Sequence, residues 1–221
     1  IELFRQSGYN IIMVGDDDGI VFKTCLAVFA SVIASTPQGS KAIFFVDHDN
    51  VTSDYNDYID DLSFNKHLNV IAPHKEEALL ENLVTELGRR QQSRDRKHTI
   101  LLCIYGLHNT YSYDGDAFSP STCADHLNKL ISDGPSQGIH VLVWSSILAK
   151  LNDTGIKTRL IGNKIIFSNE ARPLIQMLSE VKANQGYITT PKKSDTPQKF
   201  TPYDVSLKSR DEIDELESWF V

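Results

Sequence analysis

Little in this sequence points to a secreted, membrane-embedded or nucleic-acid-holding chain. Cys25, Cys103 and Cys123 are the only cysteines among 221 residues. They are odd in number and lack paired spacing, which excludes a disulfide framework. Two of them fall inside apolar segments and are expected to be buried free thiols of a reducing compartment. No signal peptide and no apolar run of 18 residues occur, so the chain is expected neither to span nor to enter a membrane by itself, and a cytoplasmic location follows. Lys and Arg number 22 against 29 Asp and Glu, giving a net charge of −7. Phosphate binding relies on clustered cations, so this domain alone is not expected to hold nucleic acid. The local cluster Arg89, Arg90, Arg94, Arg96 and Lys97 reads as a solvated helix end and loop. No G-x-S-x-G supports acyl transfer. Cys123 and His126 stand three apart on an expected helix, but no second ligand pair with zinc spacing joins them, so no metal site is expected. His67, His74, His98 and His108 sit in polar stretches and read as surface groups.

What the chain does contain is a regular alternation of apolar segments. Hydrophobic residues make up 41% and charged residues 23%, ordinary values for a globular domain with a sizeable core. Strands are expected at Asn10–Val14, Ala42–Val46, Leu68–Ile71, Thr99–Tyr105, His140–Trp144, Lys164–Phe167 and Gly186–Ile188. Helices are expected at Gly19–Ser35, Glu76–Gln92, Ser121–Ser132 and Ala171–Val181. Gly19–Ser35 is apolar nearly all round, which predicts a central helix covered on both sides. A Lys- and Pro-rich excursion, Lys192–Pro202, precedes an acidic capped helix over 209–220. Strands alternating with helices give a doubly wound, mostly parallel α/β sheet. Without an internal repeat or linker, residues 1–221 read as one domain. The chain begins at Ile1, and it is expected to be the C-terminal part of a longer protein.

The first strand leads into the turn Gly15, Asp16, Asp17, Asp18, Gly19 and then a helix. In P-loop proteins this arrangement cradles phosphates, because backbone N–H groups at a helix start converge on an anion. The motif G-x-x-x-x-G-K-[ST], started at Gly15, would need Gly, Lys and a hydroxyl where the chain has Ile20, Val21 and Phe22. Lys23 and Thr24 follow two residues late, and two helical residues turn a side chain by about 200°. Three carboxylates in the turn would repel a triphosphate: a charge pair at 4 Å is worth roughly 4 kcal/mol at an effective dielectric near 20. Helix capping accounts for them without a ligand.

Together with the run Asp133-Gly134-Pro135-Ser136-Gln137-Gly138-Ile139-His140-Val141-Leu142-Val143-Trp144 and the close Lys199-Phe200-Thr201-Pro202-Tyr203, this turn resembles the motor domain of FtsK/SpoIIIE/HerA-type RecA-like ATPases. The likeness runs over about residues 4–205. The chain looks most like the last, degenerate RecA-like domain of multidomain members, type VII secretion ATPases among them. The resemblance implies a RecA-like P-loop NTPase fold. It also implies an Asp-Glu pair at the end of the fourth strand, which holds Mg²⁺ and orients the attacking water, and a Thr-Gln sensor after the fifth. Those places hold Tyr105-Gly106 and Ser145-Ser146, and no carboxylate occurs from Thr99 to Tyr113.

The expectation is therefore a nucleotide-inactive domain with no catalytic residue, metal or cofactor. Gly15, Asp16, Asp17, Asp18, Gly19, Lys23 and Thr24 are a vestigial phosphate loop, Tyr105 and Gly106 a vestigial metal site, and Ser145 and Ser146 a vestigial sensor. Its partners would be other RecA-like domains of the same chain or a ring of copies, with nucleic acid reached only through the parent protein. Asp211, Ile213, Leu216, Trp219 and Phe220 supply an apolar docking stripe or pack on the chain's own sheet. Two alternatives stand beside this. In one, a bulge at Gly19 shifts Lys23 and Thr24 back into a weak ATP–Mg²⁺ site. In the other, Asp16, Asp17 and Asp18 join Asp47 and Asp49 at adjacent strand ends as a receiver-like Mg²⁺ pocket.

Overall fold

A computed structural model describes residues 3–34, 42–51, 67–93, 98–114, 121–175, 178, 180–182 and 185–201. Eight strands form one sheet: β1 Ile11–Val14, β2 Ile43–Asp47, β3 Leu68–Ile71, β4 Ile100–Tyr105, β5 Ile139–Ser145, β6 Asn163–Ile166, β7 Gly186–Thr190 and β8 Lys193–Phe200, in spatial order β3-β2-β4-β5-β1-β6-β7-β8. The first six in that order run parallel, and β7 and β8 close the edge antiparallel. The α-helices are α1 Asp18–Ala34, α2 Glu76–Gln92, α3 Thr122–Asp133 and the short α4 Leu148–Asn152.

The central strands are apolar on both faces because both are covered, as parallel sheets require. Successive β1 side chains alternate between two cores. Ile11 and Met13 join Phe22, Cys25 and Phe29 of α1, whereas Ile12 and Val14 join Leu83 of α2 and Leu127 of α3. Cys25, Cys103 and Cys123 are all buried free thiols.

Buried polar side chains fix the amino-terminal ends of the strands. Asn10 Oδ1 accepts from Val141 N at 2.8 Å while its Nδ2 donates to the Ile131 carbonyl at 2.7 Å, tying β1 to β5 and α3. Asn163 Nδ2 donates to the Asn10 carbonyl at 2.9 Å. His140, fully buried, places Nδ1 2.7 Å from the Tyr9 carbonyl, which can only accept.

The structure departs from the sequence expectations at several points. α1 begins at Asp18 and lies on one face of the sheet, with Ala27 and Ser31 exposed, so it is not a central helix. Its outer positions are Lys23, Thr24, Ala27 and Ser31, a milder face than the count of apolar residues conveys. The expected helix over Ala171–Val181 is instead a 3₁₀ stretch, Asn169–Leu174, with Pro173 inside it; proline has no N–H to continue an α-helix. The expected Lys/Pro excursion is β8, paired with β7; Pro197 is tolerated on an edge strand. Arg90 is buried, donating to Glu86 at 2.8 Å and to the carbonyls of His98 and Gln137 at 3.1 and 2.9 Å. It bolts α2 to the entries of β4 and β5 and is no part of a solvated patch. His67 is buried as well, whereas His74 is exposed and His98 and His108 are half-buried. Arg94, Arg96, Lys97 and residues 209–220 lie outside the described residues.

Candidate functional site

In open α/β sheets ligands sit beyond the carboxyl ends of the strands, and here that rim is formed by β4, β5 and β1, three neighbours in the sheet. Each carries one of the suspected vestiges: Tyr105-Gly106, Ser145-Ser146 and the Gly15 turn. The sequence therefore brings the expected places together, and what fills them decides what they can do.

Only Gly15, Asp16 and Asp17 separate the end of β1 from the start of α1. A phosphate-cradling loop needs more backbone than this. The anion position at the helix start is also taken, since Asp17 Oδ1 accepts from Ile20 N at 3.0 Å and the Asp17 carbonyl accepts from Val21 N at 3.0 Å. The protein's own carboxylate thus satisfies one of the first-turn N–H groups, that of Ile20, and the Val21 N–H is already in the helical ladder. α1 runs without a break from Asp18 to Ala34, so the bulge at Gly19 that would bring Lys23 and Thr24 back is not formed. The Thr24 hydroxyl is engaged along its own helix, donating to the Ile20 carbonyl at 2.8 Å, and Lys23 sits more than a turn down the helix.

Below the loop lies a tier of aromatic rings. Trp144 Nε1 donates to the Gly15 carbonyl at 3.1 Å. Its ring is 4.1 Å from that of Tyr105, Tyr105 meets Phe22 edge-on at 6.0 Å, and His108 closes on Trp144 at 5.1 Å. Trp144, Tyr105 and Phe22 are at most 1% exposed. Such rings bury roughly 150–250 Å² each, and well-oriented pairs add about 0.5–1.5 kcal/mol. Tyr105, at the place where the resemblance implies a carboxylate, points to the α1 side of the sheet, into the same core as Phe22 and Trp144. An apolar ring with no room beside it stands there instead.

Gly106 closes the second metal position by backbone shape. It is left-handed, at φ 80°, and a Cβ built on it would lie 2.9 Å from Asp49 Cβ and 3.0 Å from Asp49 N. A glutamate has neither the conformation nor the space at this point. Gly106→Ala is expected to lower stability by about 2 kcal/mol in urea denaturation; an unchanged midpoint would show that the Asp49 loop yields freely. The sensor residues are engaged locally. Ser145 Oγ donates to the Ile147 carbonyl at 2.9 Å and accepts from Ile147 N at 3.2 Å, and Ser146 N donates to His108 Nδ1 at 3.2 Å.

The acid cluster of the receiver-like alternative is not assembled. Asp47 ends β2, and two strands, β4 and β5, separate β2 from β1. At about 4.8 Å per strand that puts the two sets of aspartates about 14 Å apart. Asp49 instead accepts from Asn109 Nδ2, and Asp47 Oδ1 accepts from Asp49 N at 3.1 Å. Among the described residues no three His, Cys, Asp or Glu side chains converge as metal ligands. Cys123 is held protonated, its thiol pushed up to about 11 by burial and then by Glu76 and Glu77.

Sequence reasoning missed a buried polar group beside this rim. Glu76, at the start of α2, accepts from the Tyr113 hydroxyl, and His48 Nε2 lies 3.1 Å from its other oxygen. Glu76 is 1% exposed, and burial followed by the Glu76 charge holds the Tyr113 hydroxyl well above the ordinary phenol range. The triad clamps the end of β2 to α2 and to the segment after β4. Glu76 reads in sequence as an ordinary first-turn acid, and only the fold puts His48 and Tyr113 upon it. A shallow polar cleft of about 350 Å³ flanks the loop on the β6 side, with Asp16, Ser146, Glu170 and Lys182 on its walls.

No protein-family model and no curated protein sequence matches the chain; solved structures do. The cytoplasmic domain of the Thermomonospora curvata type VII secretion ATPase EccC superposes with a TM-score of 0.67 at 13% identity, over 92% of this chain and 24% of that one. EssC (ATPases 2 and 3) from Geobacillus thermodenitrificans gives 0.62 at 16% identity, over 96% of this chain and 44% of that one. The pCW3 conjugation coupling protein TcpA, in its monomer form with ATPγS, gives 0.65 at 16% identity, over 98% and 66%. The fold is thus that of FtsK/SpoIIIE-type ATPases, an α/β P-loop NTPase fold, and the chain spans about a quarter to two thirds of the length of these proteins. No helix among the described residues is long and apolar enough to cross a membrane.

Proposed function

We propose that this chain is a RecA-like domain relieved of nucleotide hydrolysis, acting as a structural or regulatory module within a larger translocating ATPase. The observation that carries the reading is the occupied rim: Asp17 at the anion position, the Phe22–Tyr105–Trp144 tier where phosphate and metal would be handled, and Gly106 shaped against an acid. On this reading the residues present do not fit ATP and Mg²⁺. The fold outlasts the site because its two cores do not depend on a ligand.

Among the solved structures alike in fold, EccC is a type VII secretion ATPase and TcpA a conjugation coupling protein, and the EssC structure and a further EccC structure each hold ATPases 2 and 3. By analogy the module would dock on active sister domains or within a ring of copies, in the cytoplasm, and reach a translocated substrate only through the rest of its protein. Isothermal titration calorimetry with ATP and Mg²⁺ is expected to give no saturable heat below the millimolar range. A micromolar Kd would overturn the proposal in favour of a weak nucleotide-binding translocase domain.

A further inference from the structure

The opposite end of the sheet, at the amino-terminal ends of the strands, has the reverse character. Phe4 and Leu160 are 37% and 38% exposed there, two of the five large hydrophobic side chains exposed among the described residues. Lys192 holds its ammonium 4.5 Å from the centre of the Phe4 ring, and Arg159 lies in the 3₁₀ turn Thr158–Leu160. The pieces form one surface: the Gly162 N–H donates to the Gly8 carbonyl at 2.8 Å, and Pro191, beside Lys192, lies under both glycines. Arg5, Lys157, Arg159 and Lys192 are all exposed around it, with Asp133 the half-buried acid at the end of α3. A cationic, partly apolar surface is unexpected on a chain of net charge −7.

We infer that this surface is the docking site of the chain's own acidic C-terminal segment. Residues 209–220 lie outside the described residues. Their sequence places Asp211, Glu212, Asp214, Glu215 and Glu217 among Ile213, Leu216, Trp219 and Phe220, an anionic and apolar composition that complements Phe4, Leu160 and the four cations. The reach is sufficient. β8 ends at Phe200, opposite Gly186, while the Pro191–Lys192 turn lies at the far end of the same hairpin, about 25 Å away at 3.3 Å per residue. Eight residues link Phe200 to Ser209, and the nine steps between them extend to about 30 Å. The contact would latch the lead-in to β1, the turn before β6 and the β7–β8 turn together, whether or not nucleotide binds at the other end.

Acrylamide quenching of tryptophan emission in the full chain tests this, because Trp144 is fully buried and accessible emission reports Trp219. Wild type is expected to be shielded at all protein concentrations. R159E/K192E, on exposed side chains, is expected to raise the quenching constant about threefold, and adding D211K/E215K to that variant is expected to restore shielding. Open Trp219 in wild type, shielding unchanged by R159E/K192E, or shielding that grows with protein concentration would each overturn the inference. Far-ultraviolet circular dichroism of each variant verifies the fold.

Discussion

Trp144→Ala is expected to lower stability by about 3–5 kcal/mol, the range for removing a large buried aromatic ring, without creating affinity for ATP. The ring is fully buried, packs on Tyr105 at 4.1 Å and holds the Gly15 carbonyl, so its loss opens a cavity and leaves a buried acceptor unpaired. Tyr105→Asp sharpens the point. It restores a carboxylate at the end of β4, yet the new charge would lie among the rings of Phe22, Phe45 and Trp144. Burying an unpaired carboxylate is costly, so this variant is expected to be at least as destabilised as Trp144→Ala and still silent toward ATP in calorimetry. Guanidinium denaturation measures both. A Tyr105→Asp protein as stable as wild type, or one that binds ATP–Mg²⁺, would mean that the rim is an open site with a missing ligand and not a filled one.

The second large effect is a loss of stability in mild acid. Burial, with the nearby Arg5 charge adding to it, lowers the His140 pKa from 6.5 to about 4, against the opposing pull of its bond to the Tyr9 carbonyl. Because the folded state binds this proton less readily than the unfolded chain, its contribution is complete above pH 6.5 and is lost as pH falls toward 4. The shift corresponds to about 3 kcal/mol. Glu86 acts in a lower window: hydrogen bonding to Arg89, with Arg90 assisting, lowers its carboxyl to about 2, so its contribution is present above pH 4.5 and fades below it. Denaturation midpoints from pH 7 to pH 4 are expected to fall steeply in wild type and to flatten in His140→Gln, leaving the loss below pH 4.5 intact. Equal slopes in the two proteins would remove His140 as the cause.

The elements that were legible in the sequence are those whose information is local. The run from Ile100 to Tyr105 has to be a strand buried on both faces, and Glu76–Gln92 shows its inner leucines at helical spacing, so both are found where expected. Ala171–Val181 failed because Pro173 outweighs an apolar periodicity, and Lys193–Phe200 failed because a polar edge strand resembles a loop until its partner is known. The site divides along the same line. The wrong residue types at 20–22, 105–106 and 145–146 were visible one by one. That Asp17 would occupy the anion position, that Tyr105 and Trp144 would stack, and that Gly106 would be barred from carrying an acid are facts of contact across the sheet. So is Glu76, whose burial depends on His48 and Tyr113, residues 28 and 37 positions away.

The most direct measurement is a crystal structure of this chain determined with saturating ATPγS and Mg²⁺. The account predicts an unaltered rim, with Asp17 still bonded to Ile20 N and the Trp144 ring against the Gly15 carbonyl. A triphosphate lodged at Gly15 with Lys23 upon it would contradict it.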